Sequence, residues 1–258
     1  MKPKLRCGRF LCTTLVTLYI NLILSNLVSL RQYWYVHQYL NQTQVLPLYD
    51  SLFMDWIGEY KNKITDYVTL HDAVDICTYS WVIITIVAWT LFSQKPSIMA
   101  KGLMAQVVLI SSFSLAQLLT IVPDSMPNCL EVYNIPTDSD ISWIFWHYPI
   151  RACGNMLWSS DVTQLVIFTS LAVEIIPREK NKTSNMVWFV GECWTFLTII
   201  FIFSSRYQYS VDVITTYVVV KLVMSNQSVD FWSKWFFVEN GDYFERVTMQ
   251  EYQPYETI

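Results

Sequence analysis

The chain has 258 residues, of which 53% are apolar, 16% aromatic and only 15% charged, with a formal net charge of −4. That balance is too lipophilic for an ordinary water-soluble domain of this size and points to an integral membrane protein. A bilayer-spanning helix needs roughly 20 predominantly apolar residues, and the chain divides into six such windows.

The first window, residues 11–30, follows Lys2, Lys4, Arg6 and Arg9. Its apolar run exceeds the core of a typical signal peptide, so it is expected to be an anchor. Windows two (74–92) and three (103–122) are separated by Ser93-Gln94-Lys95-Pro96 and Lys101, a short connection that makes them an antiparallel pair. Window four covers 156–177, window five 186–203 and window six 211–224.

Three of the windows carry polar residues: Gln106 and Gln117 in the third, Asp161 and Gln164 in the fourth, and Asp212, Thr215 and Thr216 in the sixth. An unpaired polar group facing lipid costs several kcal/mol, so all of these are expected to point into the protein and to mark the site. The expected fold is an all-α, six-span membrane bundle over residues 11–224. A cytosolic N-terminus precedes it at 1–10, and a cytosolic tail follows at 225–258.

Orientation follows the basic residues. The N-terminal segment, the Lys95/Lys101 connection and the Arg178, Lys180, Lys182 connection are expected in the cytosol. The alternate connections are longer and acidic on balance, and are expected to face the lumen or exterior. Of the sequons at Asn41, Asn181 and Asn226, only Asn41 falls on that side and would report the topology.

Six cysteines form no Cys-x-x-Cys pair, and His37, His71 and His147 are scattered, so neither a metal nor another cofactor is expected. Cys129 and Cys153 share the oxidising side and are either a disulfide or two thiols. The aromatics Trp143, Phe145, Trp146, Tyr148 and Trp158, and again Trp232, Trp235, Phe236 and Phe237, suit an interfacial belt. Choline binding by cation-π attraction is the other reading.

Several short motifs recur in a fixed order beside these windows. They are Leu46-Pro47-Leu48-Tyr49-Asp50, Val122-Pro123 followed by Asn128-Cys129, Cys153-Gly154-Asn155 followed by Ser159-Ser160-Asp161-Val162, Glu174-Ile175-Ile176-Pro177-Arg178, and Gln208-Tyr209-Ser210-Val211-Asp212-Val213. In order and spacing, over residues 46–240, they resemble the motifs of the sphingomyelin synthase (ceramide cholinephosphotransferase) family, which is related to lipid phosphate phosphatases. In that family the third motif reads Cys-Gly-Asp and Ser-Gly-His-Thr, and the last reads His-Tyr-Thr-Val-Asp-Val. Both histidines are replaced here.

The resemblance implies a lipid phosphate phosphatase-like bundle with a luminal polar cavity between spans four and six, in the Golgi or plasma membrane. It also implies transfer of phosphocholine from phosphatidylcholine to ceramide through a phosphohistidine. One histidine is the nucleophile, an aspartate four residues on orients it, and the second histidine protonates the diacylglycerol leaving group. Carried onto this chain, the nucleophile position is Gln208, the acid position Asp161 and the orienting carboxylate Asp212. Asn155, Ser159, Tyr209, Arg151 and Arg206 are candidate substrate contacts.

An amide is no nucleophile for phosphorus, and an ionised Asp161 would repel the substrate phosphate. The expectation is a sphingolipid-metabolism membrane protein that binds ceramide, phosphatidylcholine or diacylglycerol as a catalytically degenerate pseudoenzyme. A second reading is an active transferase of a phosphocholine or phosphoethanolamine headgroup that uses altered residues such as Asp161 and His147, or the pair Asp161 and Asp212. A third is a partner subunit of an active family member. No nucleic-acid partner is expected.

Overall fold

The structure, a computed structural model, describes residues 4–34, 64–93, 95–120, 158–176, 181–204, 208 and 210–239. Among the described residues seven α-helices run in chain order: α1 Cys7–Trp34, α2 Ile64–Ala88, α3 Pro96–Leu119, α4 Ser160–Ile175, α5 Asn181–Ser204, α6 Ser210–Ser225 and α7 Gln227–Phe237. A single π-helical turn, Trp89–Ser93, extends α2. The one extended pairing among the described residues is two residues long: β1 Lys4–Leu5 runs antiparallel to β2 Val238–Glu239.

Local chemistry sets the helix ends. Pro96 opens α3 where its missing N–H is not needed, and Trp89 Nε1 donates to Lys95 O (2.9 Å) to brace the turn before it. Ser159 caps α4 by accepting from Val162 N, and the helix gives way to extended backbone at Ile176, the residue before Pro177. Asn226 lies in the sharp turn between α6 and α7, and its Oδ1 accepts from Ser228 N (2.8 Å).

Four stretches among the described residues are long and apolar enough to cross a membrane: Cys7–Leu24, Asp72–Ser93, Pro96–Phe113 and Lys182–Ser204. They correspond to the first, second, third and fifth sequence windows. Their outward faces carry Leu11, Leu15, Leu18, Ile83, Ile84, Leu115, Phe189 and Phe196, an apolar surface suited to lipid and not to water. The fourth and sixth windows become shorter helices. α4 and α6 have 16 residues each, about 24 Å at 1.5 Å per residue, against a hydrocarbon core of about 30 Å.

The bundle is organised around α4, which packs on α2, α3, α5 and α6. Val162, Leu165, Val166, Ile167 and Leu171 are all fully buried at its centre. Close approach of α5 needs Gly191: a Cβ there would lie 2.5 Å from Thr169 Cγ2 and 3.0 Å from the Trp81 ring.

Polar groups are paired across these contacts. Trp81 Nε1 donates to Thr169 Oγ1 (3.0 Å) between α2 and α4, and Trp194 Nε1 donates to Cys77 O (2.9 Å) between α5 and α2. Gln106 Nε2 donates to Gln164 Oε1 (2.8 Å) between α3 and α4. Glu192 joins α5 to α6, accepting from Tyr217 OH (2.6 Å) and pairing with Lys221. In a low-dielectric interior such bonds replace those that water would make.

The segment expected as a tail begins as α7, which packs on α3 and α1. Phe237 and Val238 are buried against Ala100 and Leu103. Thr215 corrects the expectation that every polar residue of the sixth window faces inward: Asp212 and Thr216, four apart, share the buried face of α6, and Thr215 is exposed. A threonine can face outward because its hydroxyl can bond to a carbonyl of its own helix.

Candidate functional site

The starts of α4 and α6 lie side by side, although about fifty residues separate them in sequence. Two hydrogen bonds tie them. Gln208 Nε2 donates to Trp158 O (3.1 Å), and Ser159 N donates to Thr216 Oγ1 (3.0 Å). The two helices therefore begin at the same end of the bundle and run parallel.

Each joining residue is held from behind. Thr163 Oγ1 donates to Ser159 O (2.8 Å) and accepts from Trp158 Nε1, which fixes the turn entering α4. The Trp158 ring stacks on Phe113 of α3 with centroids 5.3 Å apart and planes 9° from parallel. Trp158 is thus a packed wall of the site rather than a member of an interfacial belt.

Three residues singled out in the sequence lie at or just before these two helix starts and are almost wholly enclosed: Asp161 is 7%, Gln208 6% and Asp212 4% exposed. Ser159 and Ser210 are buried beside them. Gln208 stands just before the first residue of α6, so the shared face of a continuous helix does not govern its relation to Asp212. Its bond to Trp158 O does. That bond leaves Gln208 Oε1 buried with no hydrogen-bond partner among the described residues.

Asp161 and Asp212 each sit in the first turn of their helix. Helix N-termini carry partial positive charge from aligned peptide dipoles, so two adjacent N-termini make a locale that favours anions. Two carboxylate side chains already occupy that locale. With those side chains in place it suits a held cationic group better than an incoming phosphate, which carboxylates would repel.

Of the other expected site residues, Arg151, Asn155, Arg206 and Tyr209 lie outside the described residues. So do His147, Cys129, Cys153, the sequon at Asn41 and the motif at residues 46–50. The sequence reading passed over Thr163 and did not give Thr216 its bridging role. Buried threonines also bond within their own helices, as Thr85 does to Trp81 O, so type and spacing alone do not single out the bridging ones.

The chain matches no family model, and no curated protein matches it.

Proposed function

We propose that this chain is a sphingomyelin-synthase-like, multi-pass membrane protein of Golgi or plasma membrane that keeps a lipid-headgroup site and has lost the covalent chemistry. In this reading α4 and α6 are the fourth and sixth spans of a lipid phosphate phosphatase-type bundle, completed by flanking residues, with both termini cytosolic and the site luminal or extracellular. The observation that supports it is the direct contact between the two motif segments, Trp158-Ser159 and Gln208 through Thr216.

The chemistry at that place argues for a degenerate site. Transfer through a phosphoenzyme requires a nucleophile whose lone pair reaches phosphorus. At Gln208 the amide nitrogen is delocalised and donates to a carbonyl. Protonation of a leaving diacylglycerol oxygen requires an acid, and the position that the second histidine takes in the family is here Asp161. Val162, Val166 and Val213 are buried behind the polar cluster.

The test is transfer of phosphocholine or phosphoethanolamine to a fluorescent ceramide in membranes containing this chain, beside the variant Asp161→His/Gln208→His. The expected outcome is no product from the native chain and measurable product from the double variant. Product from the native chain that disappears in Asp212→Asn would establish an active transferase and end the pseudoenzyme reading. If neither makes product, photo-crosslinking to ceramide, phosphatidylcholine and diacylglycerol probes decides. Failure to crosslink any of them more than a scrambled-lipid control overturns the lipid-site reading.

A further inference from the structure

α7 has three distinct sides. At about 100° per residue, Val229, Ser233 and Phe237 fall on one stripe and are buried against the bundle, while Asp230, Lys234 and Gln227 fall on a polar stripe beside it. The remaining arc carries Phe231, Trp232, Trp235 and Phe236, with Ser228 among them in the first turn. The two tryptophans are 51% and 47% exposed. Four large aromatic rings turned outward on an 11-residue helix would be a liability in water.

These rings continue into a surface already assigned to lipid. Neighbouring rings lie 5.5 Å apart from Phe231 to Trp232 and from Trp232 to Trp235, and 6.4 Å apart from Trp235 to Phe236. Phe236 and Phe237 are 4.9 Å apart, and Phe237 meets Phe10 of α1 at 5.8 Å. Beyond Phe10 stand the exposed Leu11, Leu15 and Leu18 of the first membrane-crossing stretch.

The same end of the bundle is cationic. It gathers the starts of α1, α3 and α5 and the ends of α4 and α6, as the Lys101–Glu174 pair and the Arg6 N to Phe237 O bond (2.7 Å) show. Arg6, Arg9, Lys95 and Lys182 stand there, and no carboxylate among the described residues pairs with them. Arg9 lies over the Phe236 ring at 5.7 Å, which places a cation directly on the aromatic ridge.

We propose that the aromatic side of α7, with Arg6, Arg9 and Lys95, is a docking surface for anionic lipid. The helix lies in the headgroup layer with Phe231, Trp232, Trp235 and Phe236 inserted toward the acyl chains and the cations on lipid phosphates and carboxylates. The occupant is the bilayer surface itself. An interfacial amphipathic helix of this kind seats its apolar face about 5–10 Å into the headgroup and acyl boundary, where aromatic rings are favoured, and basic residues beside it select the anionic leaflet.

The experiment uses the full chain in nanodiscs of phosphatidylcholine, with and without phosphatidylserine. The emission difference between the native protein and Trp232→Phe/Trp235→Phe isolates the two tryptophans. It is expected to be blue-shifted and to be quenched most by lipids brominated near the start of the acyl chain. A red-shifted difference that brominated lipid leaves unquenched overturns the proposal. So does a Trp232→Cys variant that crosslinks to a second copy, because that face would then be a protein interface. Spin-labelled phosphatidylserine should associate with the native protein more than spin-labelled phosphatidylcholine does, and Arg6→Gln/Arg9→Gln/Lys95→Gln should lose that preference. Equal association of the two lipids with the native protein removes the anionic part of the proposal.

Discussion

α1 and α4 are both rich in apolar residues, yet they occupy opposite environments. No residue of the Cys7–Leu24 stretch of α1 is buried, whereas ten of the sixteen residues of α4 are. In water, burial of apolar surface would separate an inside helix from an outside one. In a membrane it does not, because lipid tails are as apolar as leucine. What sets α4 inside is its polar and small-residue chemistry: Gln164 bonds to Gln106 of α3 and Thr169 to Trp81 of α2, and Gly191 of α5 lets a neighbour close on Thr169.

The contrast predicts very different responses to the same substitution. Leu165→Ala on α4 removes packing that nothing can replace and should destabilise the bundle by about 2–5 kcal/mol in reversible unfolding of the nanodisc-held protein. A next step down is Gly191→Ala, whose new Cβ would stand 2.5 Å from Thr169 Cγ2. It should cost about 1–3 kcal/mol through overpacking, and less in a Thr169→Ser background where that methyl is gone.

Gln164→Leu tests the polar half of the contrast. It strands the Gln106 amide and should cost on the order of 0.6 kcal/mol, the usual worth of an interhelical hydrogen bond in a membrane, with much of the loss recovered when Gln106→Leu is added. Leu15→Ala on α1 closes the series. Lipid fills the space, and the shift should stay within about 0.5 kcal/mol. A Leu15→Ala effect as large as that of Leu165→Ala would mean that the exposed face of α1 is covered by protein.

Much of the architecture was legible because hydropathy reports membrane-crossing segments directly. It reports their apolar middle, not their helix ends. α2 starts at Ile64, ten residues before the apolar window at Val74, because Asp66, Tyr67, His71 and Asp72 break the apolar run without breaking the helix. α7 went unread for the opposite reason. Its buried stripe includes Ser233, which weakens the 3.6-residue pattern, and its cap, Asn226, reads equally well as a sequon.

At the site, Asp161 and Asp212 could be picked out as carboxylates in apolar windows, and Gln208 only by its place in the last motif. What joins them could not. Trp158 and Thr216 act through bonds between helix starts, with Thr163 holding Trp158 from within α4, and a single sequence carries the list of donors and acceptors without the pairing.

The pairing of β1 with β2 also bears on the order in which the protein can be made. Arg6 N bonds to Phe237 O, so the first helix is fastened by a residue 231 positions later in the chain. At the usual 5–20 residues per second of synthesis, α1 waits roughly 12–46 s in the membrane before its last partner exists. Until α3 follows, its neighbours are lipid and the membrane-insertion machinery, and a helix whose Cys7–Leu24 stretch has no buried residue in the finished bundle is one that tolerates the wait.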